Sequence, residues 1–278
     1  MPAERTAPYS VLMSVYGKEK PEHLRQSVES MLAQTAPPGD FVLVCDGPLT
    51  PELDDVVERF VQAHPELFQI VRLPENRGLG QALNAGLAVC RYDLVARMDS
   101  DDISVPDRCA RQLLAFSDRP DLAVVGGEAA EFEQDPTHPV SVRRPPRQPG
   151  EILRYAGLRN PMNHPTVMYR KSAVLDSGGY RDAPLHEDYD LWVRMLRRGE
   201  QMCNLPRILC YMRVDGGMYA RRGGLRYWRV ISEFHWELCR TRFCTRSQCA
   251  VSIAAYTVSC LVPACVRRRL YQRVLRKR

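Results

Sequence analysis

Apolar residues run in short bursts along the first half of the chain, and the segments between them follow a different period. YSVLMSV (9–15), FVLVC (41–45), FQIVRL (68–73), YDLVARM (92–98) and DLAVVGG (121–127) are continuous enough to be strands buried on both faces. Between the bursts, Leu24, Val28 and Met31 recur at helical spacing, and Leu53, Val56, Val57 and Phe60 share a face behind Pro51. GQALNAGLAVC (80–90) is a helix rich in small residues, and another is expected from near Pro106. Strands alternating with helices of this length predict an α/β domain, with a mostly parallel central sheet and helices on both faces. Such sheets bind ligands beyond the carboxyl ends of their strands. The loops YGKEK (16–20), DGP (46–48), PENRG (74–78) and DSDD (99–102) therefore form one rim.

The rhythm changes near residue 131. VRRPPRQPG (142–150) is a proline-rich connector, followed by a short helix, the strand TVMYR and a second short helix from Lys171. An amphipathic helix carries Leu191, Trp192 and Met195, and two short strands are expected near 202–205 and 208–214. This half predicts a mixed-sheet elaboration of the same domain. Residues 223–243 predict a helix with Leu225, Trp228, Ile231, Phe234 and Leu238. CAVSIAAYTVSCLVPACV (249–266) comes next, and RRRLYQRVLRKR closes the chain. The domain division that follows is 1–222 for the α/β body and 223–278 for a helical, basic C-terminal extension.

The net charge of +6 over 278 residues hides an asymmetry. Residues 239–278 hold ten Arg and Lys and no Asp or Glu, which leaves 29 basic against 33 acidic groups in the body. Dense Arg beside an apolar stretch too short, and too broken at Pro263, to span a bilayer suits a helix lying on an anionic membrane surface. No nucleic-acid motif accompanies the basic residues, so nucleic acid is not the expected partner. The start, MPAERTAPYS, lacks a secretory pattern, which places the protein in the cytoplasm, peripheral on the inner face of the cell membrane. The ten cysteines contain no C-x-x-C pair and read as reduced thiols rather than zinc ligands.

The stretch RMDSDD (97–102) packs three carboxylates into four positions at the end of a buried strand. Mutual repulsion makes such a cluster costly unless a cation neutralises it, and hard divalent cations take oxygen ligands from neighbouring carboxylates. A second acidic cluster, HEDYDLW (186–192), opens the amphipathic helix. A helix N-terminus accommodates such acids without any chemistry, so the cluster alone leaves both readings open.

In order, SVYG, VLVCDGP, PENRGLGQALNAGL, LVARMDSDD and HEDYDLW resemble the family 2 glycosyltransferases over most of residues 9–215. NHPTVMYRKS and YMRVDGGMYARRGG resemble the bacterial subgroup that builds capsular polysaccharide and exopolysaccharide, of the amylovoran type. The resemblance implies a GT-A fold with a Rossmann-like sheet, a nucleotide-sugar donor (UDP-sugar by default), divalent Mn or Mg, and inversion at the anomeric carbon. It implies that Val15, Tyr16, Asp46, Arg77 and Asp99 bind the donor, that Asp99 and Asp101 hold the metal, and that Asp102 orders the loop. Cys45 stands where the family often has a first acid before Asp46. It implies Asp188 as the base that takes the acceptor hydroxyl's proton, with Glu187 beside it, and His164 and Arg213 toward the acceptor. The acceptor would be a growing glycan or one linked to polyprenyl diphosphate. A sugar nucleotidyltransferase, or a silent glycan-binding relative, is the alternative; the first would need a glycine-rich basic loop that SVYGKEK supplies only in part.

Overall fold

Residues 7–183, 185–214 and 223–262 are described in the computed structural model. The expected βα alternation is present: β1 (Tyr9–Val15), α1 (Pro21–Leu32), β2 (Asp40–Cys45), α2 (Pro51–Ala63), β3 (Phe68–Arg72), α3 (Leu79–Val89) and β4 (Leu94–Asp99). β1 through β4 pair in parallel in the order β3-β2-β1-β4. All four loops that follow them therefore leave the same edge of the sheet.

Alternate side chains of β1 explain the two layers. Val11, Met13 and Val15 pack with Leu24, Val28 and Met31 of α1 and Leu53 and Val57 of α2. Leu12 points the other way, onto Ala82, Leu83 and Leu87 of α3. Gly86 faces the sheet so closely that a Cβ would strike Leu12 and Val44. The small residues noted in α3 are what let it lie against the strands.

The second half turns the sheet mixed. After the two-residue β5 (Ile103–Ser104), α4 (Arg108–Asp118) leads into the long β6 (Leu122–Phe132). β7 (Ser141–Arg143), α5 (Pro149–Tyr155), a 3-10 turn at His164–Thr166, β8 (Met168–Arg170), α6 (Lys171–Asp176) and α7 (Glu187–Arg197) follow. β8 runs antiparallel to both β4 and β6, wedged between them. In place of the two short strands expected near 202–205 and 208–214 there is one, β9 (Gln201–Arg213). It is irregular where Pro206 and Arg207 are skipped, since Gly127 pairs with Leu205 and Glu128 with Ile208. Proline has no N–H to give the ladder, so the chain bulges there and resumes.

The C-terminal part forms two helices, α8 (Gly224–Arg240) and α9 (Arg246–Leu261). They pack on the body through Phe234, Leu238, Cys244 and Cys249 against Tyr189 and Val193 of α7. Ser252 donates to the Leu158 carbonyl at 3.0 Å, which ties α9 to the turn after α5. No described helix is long and apolar enough to cross a membrane. The basic end of the tail, from residue 263, lies outside the described residues. The nine cysteines among the described residues are all free thiols, as expected.

His235 on α8 sits fully buried, ringed by Tyr189, Tyr256 and Phe234, with neither ring nitrogen hydrogen-bonded to a described residue. Burial, helped by the neighbouring His186, pushes its pKa down to about 4. The unfolded chain takes up that proton near pH 6.5 and the native fold refuses it, so stability falls as pH drops from about 6.5 toward 4. At pH 5 the loss is about 2 kcal/mol by linkage. His235→Phe is expected to remove that increment, which urea melts at pH 7 and pH 5 on both proteins would measure. An equal acid loss in the variant would overturn the assignment.

Candidate active site

The carboxylate loop begins where β4 ends. Asp99 is gripped by Arg97, two residues earlier on the same strand, through both carboxylate oxygens, one of the bonds at 2.6 Å. Arg97 is 1% exposed and Asp99 about 30% on its side chain, so a buried cation presents a half-open carboxylate to the site. Burial and the nearby Asp99 and Glu19 push Asp101 up to about 7. Asp102 is buried and accepts the backbone N–H of Arg213 at 2.8 Å. It orders the loop by anchoring β9 to it.

Asp46 plays a comparable structural part on the neighbouring loop. Its carboxylate accepts the backbone N–H groups of Arg77 at 2.7 Å and Gly78 at 3.0 Å, stitching the end of β2 to the start of α3. Gly78 sits at φ 84 as the residue before α3, a left-handed position that glycine takes without strain. The Arg77 side chain is 59% exposed and, among the described residues, pairs with Glu75 at 3.8 Å. Tyr16 is exposed on the same rim. Val15 is different: its side chain is in the core at 1% exposure and its carbonyl accepts from the Asp46 N–H. The alternation of β1 turns that side chain inward, so a donor contact at Val15 would fall to its backbone.

A cavity of about 440 Å³ opens beside this rim. Arg97 and Asp99 line one part of it, and His164, Glu187 and Asp188 another. The two acidic clusters, far apart in sequence, thus meet across one space. Asp188 stands in the first turn of α7, where the helix N-terminus suits a carboxylate. It accepts from the Asn160 amide at 2.6 Å and from the Tyr189 N–H at 2.8 Å. Glu187 is raised by burial and by the charge of Asp188. Asp190 points elsewhere, to Arg194 at 2.9 Å, as its helical offset requires.

His164 bonds through Nε2 to the Tyr180 hydroxyl at 2.9 Å and packs edge-on to Trp192, and burial holds its pKa well below the usual histidine value. Asn84 exchanges two hydrogen bonds with the Tyr180 backbone, so α3 and the segment before α7 are locked together under the cavity. Arg213 does not share the His164 wall. Its guanidinium donates to the Asp101 carbonyl at 3.1 Å and to Gln26 at 2.9 Å, and it lies over the Phe132 ring. Pairing of β9 with β5 and β6 carries Arg213 to the carboxylate loop. Asp46, Arg77 and Asp101 likewise belong to the rim rather than to this cavity's lining.

Several lining residues carried no sequence signal. Asn160 is one, and Tyr227 and Tyr256 from α8 and α9 are others. Arg97 did leave a trace, since a charge inside the apolar run LVARM has to be paired.

Asp99, Asp101 and Glu19 bring hard oxygens together, and the crowding and burial that hold Asp101 back from ionising are what a divalent cation would relieve. No three His, Cys, Asp or Glu among the described residues close into a cage of their own. That suits Mg²⁺ or a similar ion, which takes one or two carboxylates and completes its shell with substrate phosphates and water.

A family model for glycosyl transferase family 2 matches residues 10–178. The chain is 36% identical over 269 residues to the amylovoran biosynthesis glycosyltransferase AmsE of Erwinia amylovora, covering 95% of this chain and 98% of that one. It is 31% identical over 280 residues to the UDP-Gal:alpha-D-GlcNAc-diphosphoundecaprenol beta-1,3-galactosyltransferase of Escherichia coli, covering 99% of each. The fold matches that of the mannosyltransferase PcManGT from Pyrobaculum calidifontis, solved with GDP-Man and Mn²⁺, at a TM-score of 0.64 and 15% identity. That match covers 95% of this chain and 81% of the other, and it establishes the GT-A architecture.

Proposed function

The chain belongs to glycosyltransferase family 2 and is a glycosyltransferase of polysaccharide biosynthesis, and we propose that it transfers one sugar, with inversion, from a UDP-sugar to a lipid-linked glycan. Family membership sets the nucleotidyltransferase alternative aside. The observation that carries the inverting reading is the meeting of Asp99 and Asp188 across one cavity. A donor held at the first presents its anomeric carbon toward the second. The UDP preference and the polyprenyl-diphosphate acceptor are supported by the galactosyltransferase relative, whose name contains both.

Asp188 takes the proton of the acceptor hydroxyl as its oxygen attacks the anomeric carbon. The bond from that carbon to the diphosphate oxygen breaks, and the nucleoside diphosphate leaves with the electron pair. Attack opposite the leaving group inverts the centre. Asn160 and the Tyr189 N–H keep the carboxylate aimed, and Glu187 orients the acceptor or its loop. Asp101, with Asp99, would hold Mn²⁺ or Mg²⁺, which supplies Lewis-acid neutralisation of the departing diphosphate. The presence of Mn²⁺ in the PcManGT structure agrees with this choice. Because Arg97 occupies both oxygens of Asp99, the larger share of cation binding falls to Asp101, and Asp99 is left to meet the donor's ribose. Asp46, Arg77 and Tyr16 complete the donor side, and His164 the acceptor side.

Residues 1–222 form the catalytic unit in this reading. The extension 223–278 holds it to an anionic membrane surface on the cytoplasmic side. Exposed Leu225, Trp236, Val251, Val258 and Leu261 on α8 and α9 support that placement.

The test is nucleoside diphosphate release from a panel of nucleotide sugars, with Mn²⁺, Mg²⁺ or a chelator. Metal-dependent release from a UDP-sugar is the expected result. No release, together with no calorimetric binding of UDP and Mn²⁺, would overturn the UDP donor.

A further inference from the structure

We propose that Arg143, Arg144 and Arg159 form a subsite for the diphosphate of the acceptor, an inference that rests on the lipid-linked acceptor read above. All three line the 440 Å³ cavity that holds Asp188. They reach it from separate places: Arg143 ends β7, Arg144 follows it, and Arg159 lies in the turn after α5. Nothing in the periodicity of the chain requires three guanidiniums to converge there.

Two of the three are held from behind. Glu131 on β6 is fully buried and binds Arg143 at 2.6 Å, while also accepting the Ser141 hydroxyl. Glu128, three residues earlier on the same strand, lies 3.4 Å from Arg144. Asn163 ties the Arg143 carbonyl to the turn that carries His164, at 3.3 Å. A guanidinium has five donors in a fixed fork, so a carboxylate behind it fixes the orientation in which its charge meets the cavity. Arg159 makes no ion pair to any described residue, although it is half-buried in the same wall. An anionic ligand would pair with that charge.

Of the residues assigned to the donor above, Asp99 lines this cavity. Asp101 and Arg77, on the donor rim, do not line this cavity. The arginine wall instead adjoins Tyr227, Ile231 and Tyr256, contributed by α8 and α9. Those helices continue to an apolar groove formed by Leu225, Trp228 and Leu261 among others. A ligand that fits this sequence of surfaces has a reacting sugar at Asp188, a diphosphate at the arginines, and an apolar chain running along the two helices.

Farnesyl diphosphate is the probe, titrated calorimetrically below its micellar concentration into the full chain already saturated with UDP and Mn²⁺. Farnesyl monophosphate and farnesol serve as controls. The native protein is expected to bind the diphosphate most tightly. Arg144→Gln/Arg159→Gln is expected to weaken it by about tenfold or more, the scale of one lost charge-assisted contact, with UDP affinity unchanged. Arg159→Gln alone, which breaks no ion pair among the described residues, guards against misfolding when its melting temperature matches the native one. Undiminished binding by the double variant, no binding by the native protein, or displacement of the probe by UDP would each overturn the subsite. Arginine-dependent binding of the probe by a native chain that ignores UDP and every other nucleoside diphosphate would leave the subsite standing and remove the donor reading instead.

Discussion

Asp188→Asn is expected to bind UDP and Mn²⁺ as the native enzyme does while transferring sugar about 10²- to 10⁴-fold more slowly, the range of a lost general base. The substitution keeps the shape and one oxygen. Asn160 and the Tyr189 N–H both donate to the native carboxylate, so an amide can still satisfy one of them, and the cost to folding is small. What the amide cannot do is accept a proton at neutral pH. The loss should therefore fall on kcat rather than on donor affinity. Glu187→Gln makes a useful companion, because Glu187 lines the same cavity and is already raised by burial and by Asp188. If Glu187→Gln abolished transfer while Asp188→Asn left it intact, the two roles would have to be exchanged. Single-turnover rates, with calorimetric UDP binding in parallel, separate these outcomes.

Asp101→Ala is expected to act in opposite directions on function and stability. Asp101 is crowded by Asp99 and Glu19 and lies in a largely buried loop, so removing it relieves like-charge repulsion. The metal-free variant should melt no lower than the native protein, and a gain of about 1 kcal/mol is reasonable for one relieved carboxylate. With Mn²⁺ and UDP present the order should reverse. The native enzyme gains stability by binding, at a ligand excess of 100-fold over Kd by about 2.7 kcal/mol, and the variant should gain almost none. Metal-dependent nucleoside diphosphate release should disappear with it. A variant that kept full metal-dependent stabilisation would show that the cation is held elsewhere, and Asp99 would then need to leave Arg97 to reach it.

The α/β half of the molecule was legible because its signals are local. β1, β2 and β4 are apolar runs buried on both faces, β3 is a half-buried run at the sheet edge, each helix is an apolar stripe, and parallel pairing then forces their loops to one edge. The strand bounds expected for β1 to β4 agree with the structure to within two residues. The second half was harder for an equally physical reason. β8 pairs antiparallel with two strands distant in sequence, and β9 reads as two pieces because Pro206 interrupts its ladder while the strand continues. Neither fact has a periodic signature.

Of the candidate site, the sequence by itself determined the chemistry on offer: two acidic clusters, one after a buried strand and one opening a helix, and the ordered motifs that joined them to a family. Composition also determined the basic tail. Only the tertiary structure decided who faces whom. It turned Val15 into the core and moved Arg213 to the carboxylate loop. Beneath Asp99 it set Arg97, and around Asp188 it gathered Asn160, three arginines and the inner faces of α8 and α9. Side-chain identity travels with the chain, but the charge that neutralises a carboxylate and the wall that receives an acceptor come from strands and helices paired over long sequence separations. Those contacts exist only once the sheet has closed its register.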